Sequence, residues 1–518
     1  MTNTFLSLIP PIVAILMVIL TKRVLLSLGV GIVSASILLA EFNVIEAISI
    51  IVNAVTALFI SEGELNTWNV YIILFLFILG TITAFISISG GSRAFGEWAI
   101  KRVKSRAGAQ VVAAILGMII FIDDYFNALA VGQISRPITD RQKVSRAKLA
   151  YLIDSTSAPV CVVSPISSWG AYIIAIIGGI LATHQVSQFT AFSAFIQMIP
   201  MNFYVWTTLA IVFIVAFMNV ELGKMKTHEQ RAISTGEVLD PHKQAPGELK
   251  EELPTSSKGA VGDLIYPILA LVVGTVGSML WTGSQAVEGN ATILAIFENT
   301  DVAASLLYGG LFGLAVTLLL FYRQAFILKG VKANVFSRGI IEGIKSMLPA
   351  VYILLFAWVI VDLIGQLETG KYLAGIVEKS EINIAFLPVI LFIIAGIMAF
   401  STGTSWGSFG ILLPIAGDIA ATVDFGLLLP AMAAVLAGAV FGDHCSPISD
   451  TTILSSTGAG CNHMDHVVTQ LPYALISAGI SSVGYLLLGF TESILIPLIA
   501  IVFLLIAFAL FAKKISTN

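Results

Sequence analysis

Apolar runs of 17 to 22 residues recur from end to end of this chain, near 4–20, 24–40, 68–88, 200–220, 263–281, 303–322, 347–366, 467–489 and 491–512. About 20 such residues in a helix cross the hydrocarbon core of a bilayer. The chain is therefore read as an all-α polytopic membrane protein with the lipid bilayer as its first partner. Composition agrees, with 57% of the 518 residues hydrophobic and 11% charged, against about 25% charged in a soluble domain. A net charge of -4 and the absence of a basic face exclude a nucleic-acid partner. Cys161, Cys445 and Cys461 lie far apart, without metal-ligand or disulfide spacing, and read as buried thiols. Met1 to Leu20 has neither a basic n-region nor a small-residue cleavage site, so it is expected to be a first membrane helix.

The stretch Phe121-Ile-Asp-Asp-Tyr-Phe-Asn127 breaks this pattern. An ionisable residue at bilayer depth costs roughly 2.5–3.5 kcal/mol and is tolerated only where it faces protein, water or a ligand. Asp123 and Asp124 in succession, with Asn127, point to an ion or proton site; the alternative is an interfacial loop capping the next helix. Lys and Arg cluster at 22–23, 93–106, 136–148, 323–345 and 513–514, and are missing from 41–67, 184–199 and 282–300. The positive-inside rule puts the first set, with the hydrophilic segment 221–260, in the cytoplasm. The N-terminus is then outside and the C-terminus cytoplasmic, in the plasma (inner) membrane. For 93–106 and 136–148 to share a side, the segment between them must enter, turn at Asp123-Asp124 and leave again as a re-entrant hairpin. The segment 370–382 is placed outside, its Lys371 and Lys379 offset by Glu378 and Glu381.

A shift of 279 residues lays Gly91 on Gly370, Gly117 on Gly396 and Phe121 on Phe400, and with one gap Asp154-Ser-Thr-Ser-Ala-Pro159 falls on Asp443-His-Cys-Ser-Pro447. The shared order implies duplication, and the charge-derived topology makes the copies inverted. The expected architecture is inverted repeats of five spans plus a re-entrant hairpin each, with broken helices, and one extra C-terminal span. Its boundaries are 1–220 (hairpin 108–138, broken helix 145–183), a cytoplasmic linker 221–260, 261–489 (hairpin 383–422, broken helix 425–462), and a C-terminal span and tail 490–518. Inverted repeats with broken helices are secondary-transporter architecture, with the substrate near the midplane.

Four breaks carry the candidate chemistry. They are the tips Phe121–Asn127 and Phe400–Ser408, and the interrupted crossings at Asp154-Ser-Thr-Ser-Ala-Pro159 and Gly442–Thr452. Unwound backbone in a membrane needs protein, water or an ion to satisfy it. Hydroxyls and carboxylates suit a hard cation. The candidates are Asp123, Asp124, Asn127, Asp154, Ser155, Thr156, Ser401, Thr402, Thr404, Ser405, Asp443, Ser446, Ser449, Asp450 and Thr451, with Asp123, Asp154, Asp443 and Asp450 the sodium candidates. Each has a plainer reading. Asp154 and Asp443 could be N-caps, the tip hydroxyls could ease helix packing, His444 reads as structural, His463 and His466 as interfacial, and Trp169 and Trp406 as packing residues.

At these residues the chain resembles the NhaC-type sodium/proton antiporter family, within the ion-transporter superfamily of inverted-repeat carriers. The resemblance rests on Phe400-Ser-Thr-Gly-Thr-Ser-Trp-Gly-Ser-Phe-Gly410 and above all Phe441-Gly-Asp-His-Cys-Ser-Pro-Ile-Ser-Asp-Thr-Thr452, supported by Asp154–Pro159. It implies secondary active transport by alternating access. The signature site is then Asp443, Ser446, Ser449, Asp450 and Thr451, faced by Ser401, Thr402, Thr404 and Ser405. Sodium ions and protons are the implied coupling partners, with no cofactor, and a homodimer is allowed.

The function expected is sodium/proton antiport. The alternative is a sodium- or proton-coupled carrier of a small organic acid or amino acid, bound through half-helix N-termini. A passive channel is disfavoured by four breaks in inverted copies. An intramembrane aspartyl protease would need its two Asp on facing helices and a Gly-x-Gly-Asp string, so no enzyme activity is expected.

Overall fold

The computed structural model describes residues 2–516 apart from 22, 62, 122, 166, 187, 189, 244–252, 288–291, 370, 373–374 and 376–382. The apolar runs are helices. At the N-terminus α1 (Ile9–Thr21) and α2 (Val24–Leu39) pack on each other, followed by α3 (Val44–Ala57), a small antiparallel ribbon pairing Ile60–Ser61 with Glu64–Leu65, and α4 (Thr67–Ile88). Then come α5 (Gly91–Ile100), α6 (Arg106–Ile119), α7 (Asp124–Arg141), α8 (Arg146–Asp154), the single turn α9 (Ala158–Cys161) and α10 (Ser168–Thr183). α11 (Ala191–Met198) leads into α12 (Phe203–Met218) across a bend of 46°, and α13 (Lys224–Thr235) follows. The later half runs through α14 (Gly262–Ala286), α15 (Ile293–Glu298), α16 (Val302–Tyr322), α17 (Phe336–Gln366), α18 (Leu387–Thr402) and α19 (Ser405–Val423). It closes with α20 (Leu428–Cys445), α21 (Asp450–Ala459), α22 (His463–Thr491) and α23 (Leu495–Ser516). Among the described residues, 8 helices are long and apolar enough to cross a membrane, or up to 9 with the bent pair. The chain is thus a multi-pass, all-α membrane protein.

Small residues decide which helices touch. Between membrane helices there is no hydrophobic force to bring them together, so close packing of backbones does that work. A Cβ added at Gly80 on α4 would lie 2.3 Å from the Gly343 carbonyl oxygen on α17. Gly438 and Gly442, one turn apart on α20, face α18, where a Cβ would sit 2.1 Å from the Phe392 oxygen and 2.0 Å from that of Gly396. Two groups of helices result. α4, α14, α16 and α17 pack together on one side; α18, α20 and α22, with α12, pack on the other, and the short α21 lies against α7, α8, α17 and α22.

All four expected interruptions are present: between α6 and α7, α8 and α10, α18 and α19, and α20 and α21. The α18 break has a local cause. Gly403 takes φ of +71°, a left-handed conformation that closes the helix with its N–H on the Ala399 oxygen.

Three segments read as loops are more ordered than expected. The stretch 41–67 contains α3, capped by Asn43, and 184–199 contains α11, capped by Thr190. Within the expected solvated linker, α13 docks on the protein and Glu229 is fully buried. Its Oε1 accepts from the Ser145 N–H at 2.7 Å and its Oε2 from Arg106, whose guanidinium also lies 3.6 Å from Glu221. Burial, reinforced by the nearby Glu229 charge, pushes the Glu221 carboxyl up to about 7. Ser256 is buried too, donating to Gln324 Oε1 at 3.0 Å. The charges of this linker are in part paired and buried. The centre of the linker, with Pro246, and most of 370–382, with Glu378, Lys379 and Glu381, lie outside the described residues.

Candidate ion and substrate site

The first tip is held by backbone chemistry. With α6 ending at Ile119, its last carbonyls lack helical partners, and Asn127 Nδ2 donates to two of them, Gly117 O and Ile120 O, each at 2.6 Å. Asn127 is therefore the staple of the hairpin. Asp123 precedes α7, so the 100° separation of neighbours within a helix does not apply to it and Asp124. Both are buried, and both line one cavity. Asp124 Oδ1 accepts from Trp169 Nε1 at 2.9 Å, while its buried Oδ2 has no partner among the described residues.

The second tip and second break share one carboxylate. Asp443, 1% exposed, accepts from Ser405 Oγ at 2.7 Å on Oδ2 and from Ser449 Oγ on Oδ1. It lies within α20, so it is not an N-cap; Ser449 caps α21. Ser449 Oγ also lies 2.8 Å from Thr451 Oγ1, and Ser446 Oγ donates to Phe400 O at 2.8 Å. Asp450 opens α21, with Oδ1 accepting the Thr451 N–H at 2.9 Å and Oδ2 accepting the Tyr125 hydroxyl from the first tip. Among the described residues, Asp124, Asp443 and Asp450 have no Lys or Arg ion-pair partner.

Asp154 differs. It ends α8, so it is not an N-cap either, and it is enclosed by donors: His466 Nε2 at 3.1 Å, Gln470 Nε2 at 2.6 Å and Ser455 Oγ at 3.1 Å, with Thr452 Oγ1 at 3.5 Å. His466, expected at the interface, is fully buried, because α22 begins at His463 and runs inward against α8 and α21. His463 is also buried, with Nε2 2.8 Å from the Pro447 oxygen. His444 is held on both nitrogens, by Ser155 Oγ at 3.2 Å and Tyr204 hydroxyl at 2.8 Å.

Several candidate hydroxyls face helix backbone. Thr156 donates to Leu152 O, Ser401 to Ile397 O and Thr402 to Met398 O, each four residues back. Thr404 is different: it begins α19 without capping it and lines the cavity.

That cavity, about 550 Å³, lies where the two tips and Asp450 meet α3, α4 and α17. Its walls add Trp68, Trp358, Asp362 and Trp406 to Asp123, Asp124, Tyr125, Thr404 and Asp450. Trp406 is fixed by Tyr172 stacked at 4.7 Å and Trp169 edge-on at 5.8 Å. Sequence reasoning missed Tyr125, which lies within the first tip, and Trp68, Trp358 and Asp362, of which Asp362, an ionisable residue in the apolar run 347–366, was the readable signal. It also missed the His466–Gln470 pair, although polar residues at 463, 466, 470, 477 and 481 form a readable stripe on a membrane helix. Among the described residues no group of three or more His, Cys, Asp or Glu is arranged to hold a metal ion.

Buried carboxylates without cationic partners, gathered at helix breaks inside a multi-pass membrane protein, define a secondary transporter. Similarity to known proteins agrees: residues 160–490 match the model of the Na+/H+ antiporter family. The chain belongs to that family. An uncharacterized protein of Haemophilus influenzae is 49% identical over 94% of this chain and 91% of its own. An uncharacterized Na+/H+ antiporter of the same organism is 34% identical, and a malate-2H+/Na+-lactate antiporter of Bacillus subtilis 33% identical. Each of these two matches covers 29% of this chain and 32% of the relative.

Proposed function

We propose that this transporter exchanges a cation, sodium in the first instance, for protons across the plasma (inner) membrane by alternating access. Asp443 carries the reading. It is buried, it joins the second tip to the second break through Ser405 and Ser449, and only hydroxyls answer its charge. Such a carboxylate is stable holding a proton or a cation and costly holding neither, which is the condition for obligatory exchange. Asp450 and Asp124 extend the pathway toward the cavity, with Asp123 beside them. The family and the antiporter relatives support the same exchange. In proteoliposomes with an internal pH dye, sodium or lithium pulses are expected to shift internal pH; an unmoved dye with oriented, folded protein sinks the exchanger.

A second reading, the coupled carrier of a small organic solute, is favoured by the size of the cavity, which far exceeds a bare ion.

The inverted-repeat organisation stays part of the proposal, with the halves at 1–220 and 261–489. Its support is positional. Asp154 and Asp443 each precede a break, and the matched Gly117 and Gly396 press on the matched broken crossings, Gly117 on Thr156 and Gly396 on Phe441. Opposite entry of the two tips follows, with the N-terminus outside. Ser257 and Ser284 are exposed, so Ser257→Cys should react with an impermeant thiol reagent from the cytoplasm and Ser284→Cys from outside. The reverse pattern overturns this topology.

A further inference from the structure

We propose that the acidic cavity binds an organic cation, a primary ammonium group on an apolar stem. This rests on the reading of the cavity as the transport site. Among the described residues four carboxylates line it, Asp123, Asp124, Asp362 and Asp450, and no Lys, Arg or His does. An organic anion would enter against these four carboxylates.

The helix N-termini that could offset this repulsion are largely answered already. Asp124 opens α7 and Asp450 opens α21, each placing its own carboxylate at the positive end of the helix. Asp450 has both oxygens engaged, by the Thr451 N–H and the Tyr125 hydroxyl. Asp124 has one oxygen on Trp169 and one, Oδ2, buried and without a partner among the described residues. A buried unpaired acceptor of this kind is expensive, and a cation beside the carboxylate lowers the cost.

The remaining walls select what carries that donor. Trp68, Trp358 and Trp406 provide aromatic faces, and Val302, Val361 and Leu58 provide apolar surface. Aromatic faces attract cations and cover apolar stems. A volume of about 550 Å³ lies within the range of small-molecule sites, whereas a bare sodium ion needs a close cage of oxygens. The ammonium sits among the Asp123, Asp124, Asp362 and Asp450 carboxylates, and the stem lies along Trp406 and Trp358.

The test is binding to the purified full-length protein in nanodiscs, read by tryptophan fluorescence and calorimetry, with probes of matched size. Phenethylammonium should bind, with 2-phenylethanol and 3-phenylpropionate about tenfold or more weaker, since charge-assisted bonds are the strong ones. Asp124→Asn should weaken phenethylammonium by a similar factor and leave 2-phenylethanol unchanged. The wild-type series stands alone if that variant fails to fold. Equal affinity for amine and alcohol, preference for the carboxylate, or no binding of any probe overturns the proposal. Sodium-driven pH change in vesicles is a separate readout: exchange without amine binding removes this inference alone, and amine binding without exchange removes sodium coupling alone.

Discussion

Asp443→Asn is expected to reduce cation/proton exchange to the level of empty vesicles, in a protein that still inserts and folds. The two hydroxyls that now donate to Asp443, from Ser405 and Ser449, are free rotors able to donate or accept. An amide of the same shape keeps one donor pair and reverses the other, so the joint between α19 and α21 survives. What disappears is the charge. A neutral side chain cannot bind a cation in one state and a proton in the other, so coupling stops even with the geometry intact. Had Asp443 been a helix cap, Asn would serve nearly as well, but Ser449 holds that position. The measurement is exchange per folded protein, with size-exclusion profile and thermal midpoint as controls. Near-wild-type exchange in both Asp443→Asn and Asp450→Asn would remove this stretch from the transport pathway.

The breaks were legible because a polar residue in an apolar run has few innocent explanations: Asp123-Asp124, Asp154, the Ser/Thr-rich 401–405 and Asp443–Thr452 all mark places where the helix is interrupted. The resemblance added the specific weight on 443–452. Less legible was what each polar group faces. Thr156 and Thr402 had the right composition for ligands, but a hydroxyl in a helix bonds the carbonyl four residues back as readily as an ion, and theirs do. His466 was placed at the interface because its helix was started at Val467; the true start at His463 draws three polar residues inside. In α13 the charge of Glu229 masked its burial, because pairing with Arg106 and the Ser145 amide depends on partners more than 80 residues away. Sequence pattern carries period and punctuation, and partners that distant leave no period.

The contrasting expectation concerns Asp154, which shares motif, burial and residue type with Asp443 but not its surroundings. Asp154→Asn should chiefly destabilise the protein. Four donors converge on its two oxygens, and two of them, His466 Nε2 and Gln470 Nε2, point at Oδ2 from consecutive turns of α22. An amide nitrogen at the Oδ2 position would set donor against donor; at the Oδ1 position it meets the Ser455 hydroxyl, which can accept, so the amide takes that pose and what His466 and Gln470 lose is the charge they donate to. A hydrogen bond to a charged group is worth about 1.5–3 kcal/mol against about 1 kcal/mol for a neutral one, so with both of these weakened the variant should lose about 1–4 kcal/mol, where Asp443→Asn, whose charge no imidazole answers, loses less. Thermal melts of the wild type and the variant decide the matter. A folded Asp154→Asn protein of wild-type stability that has lost exchange would place Asp154 among the ion ligands instead of the anchors between α8, α21 and α22.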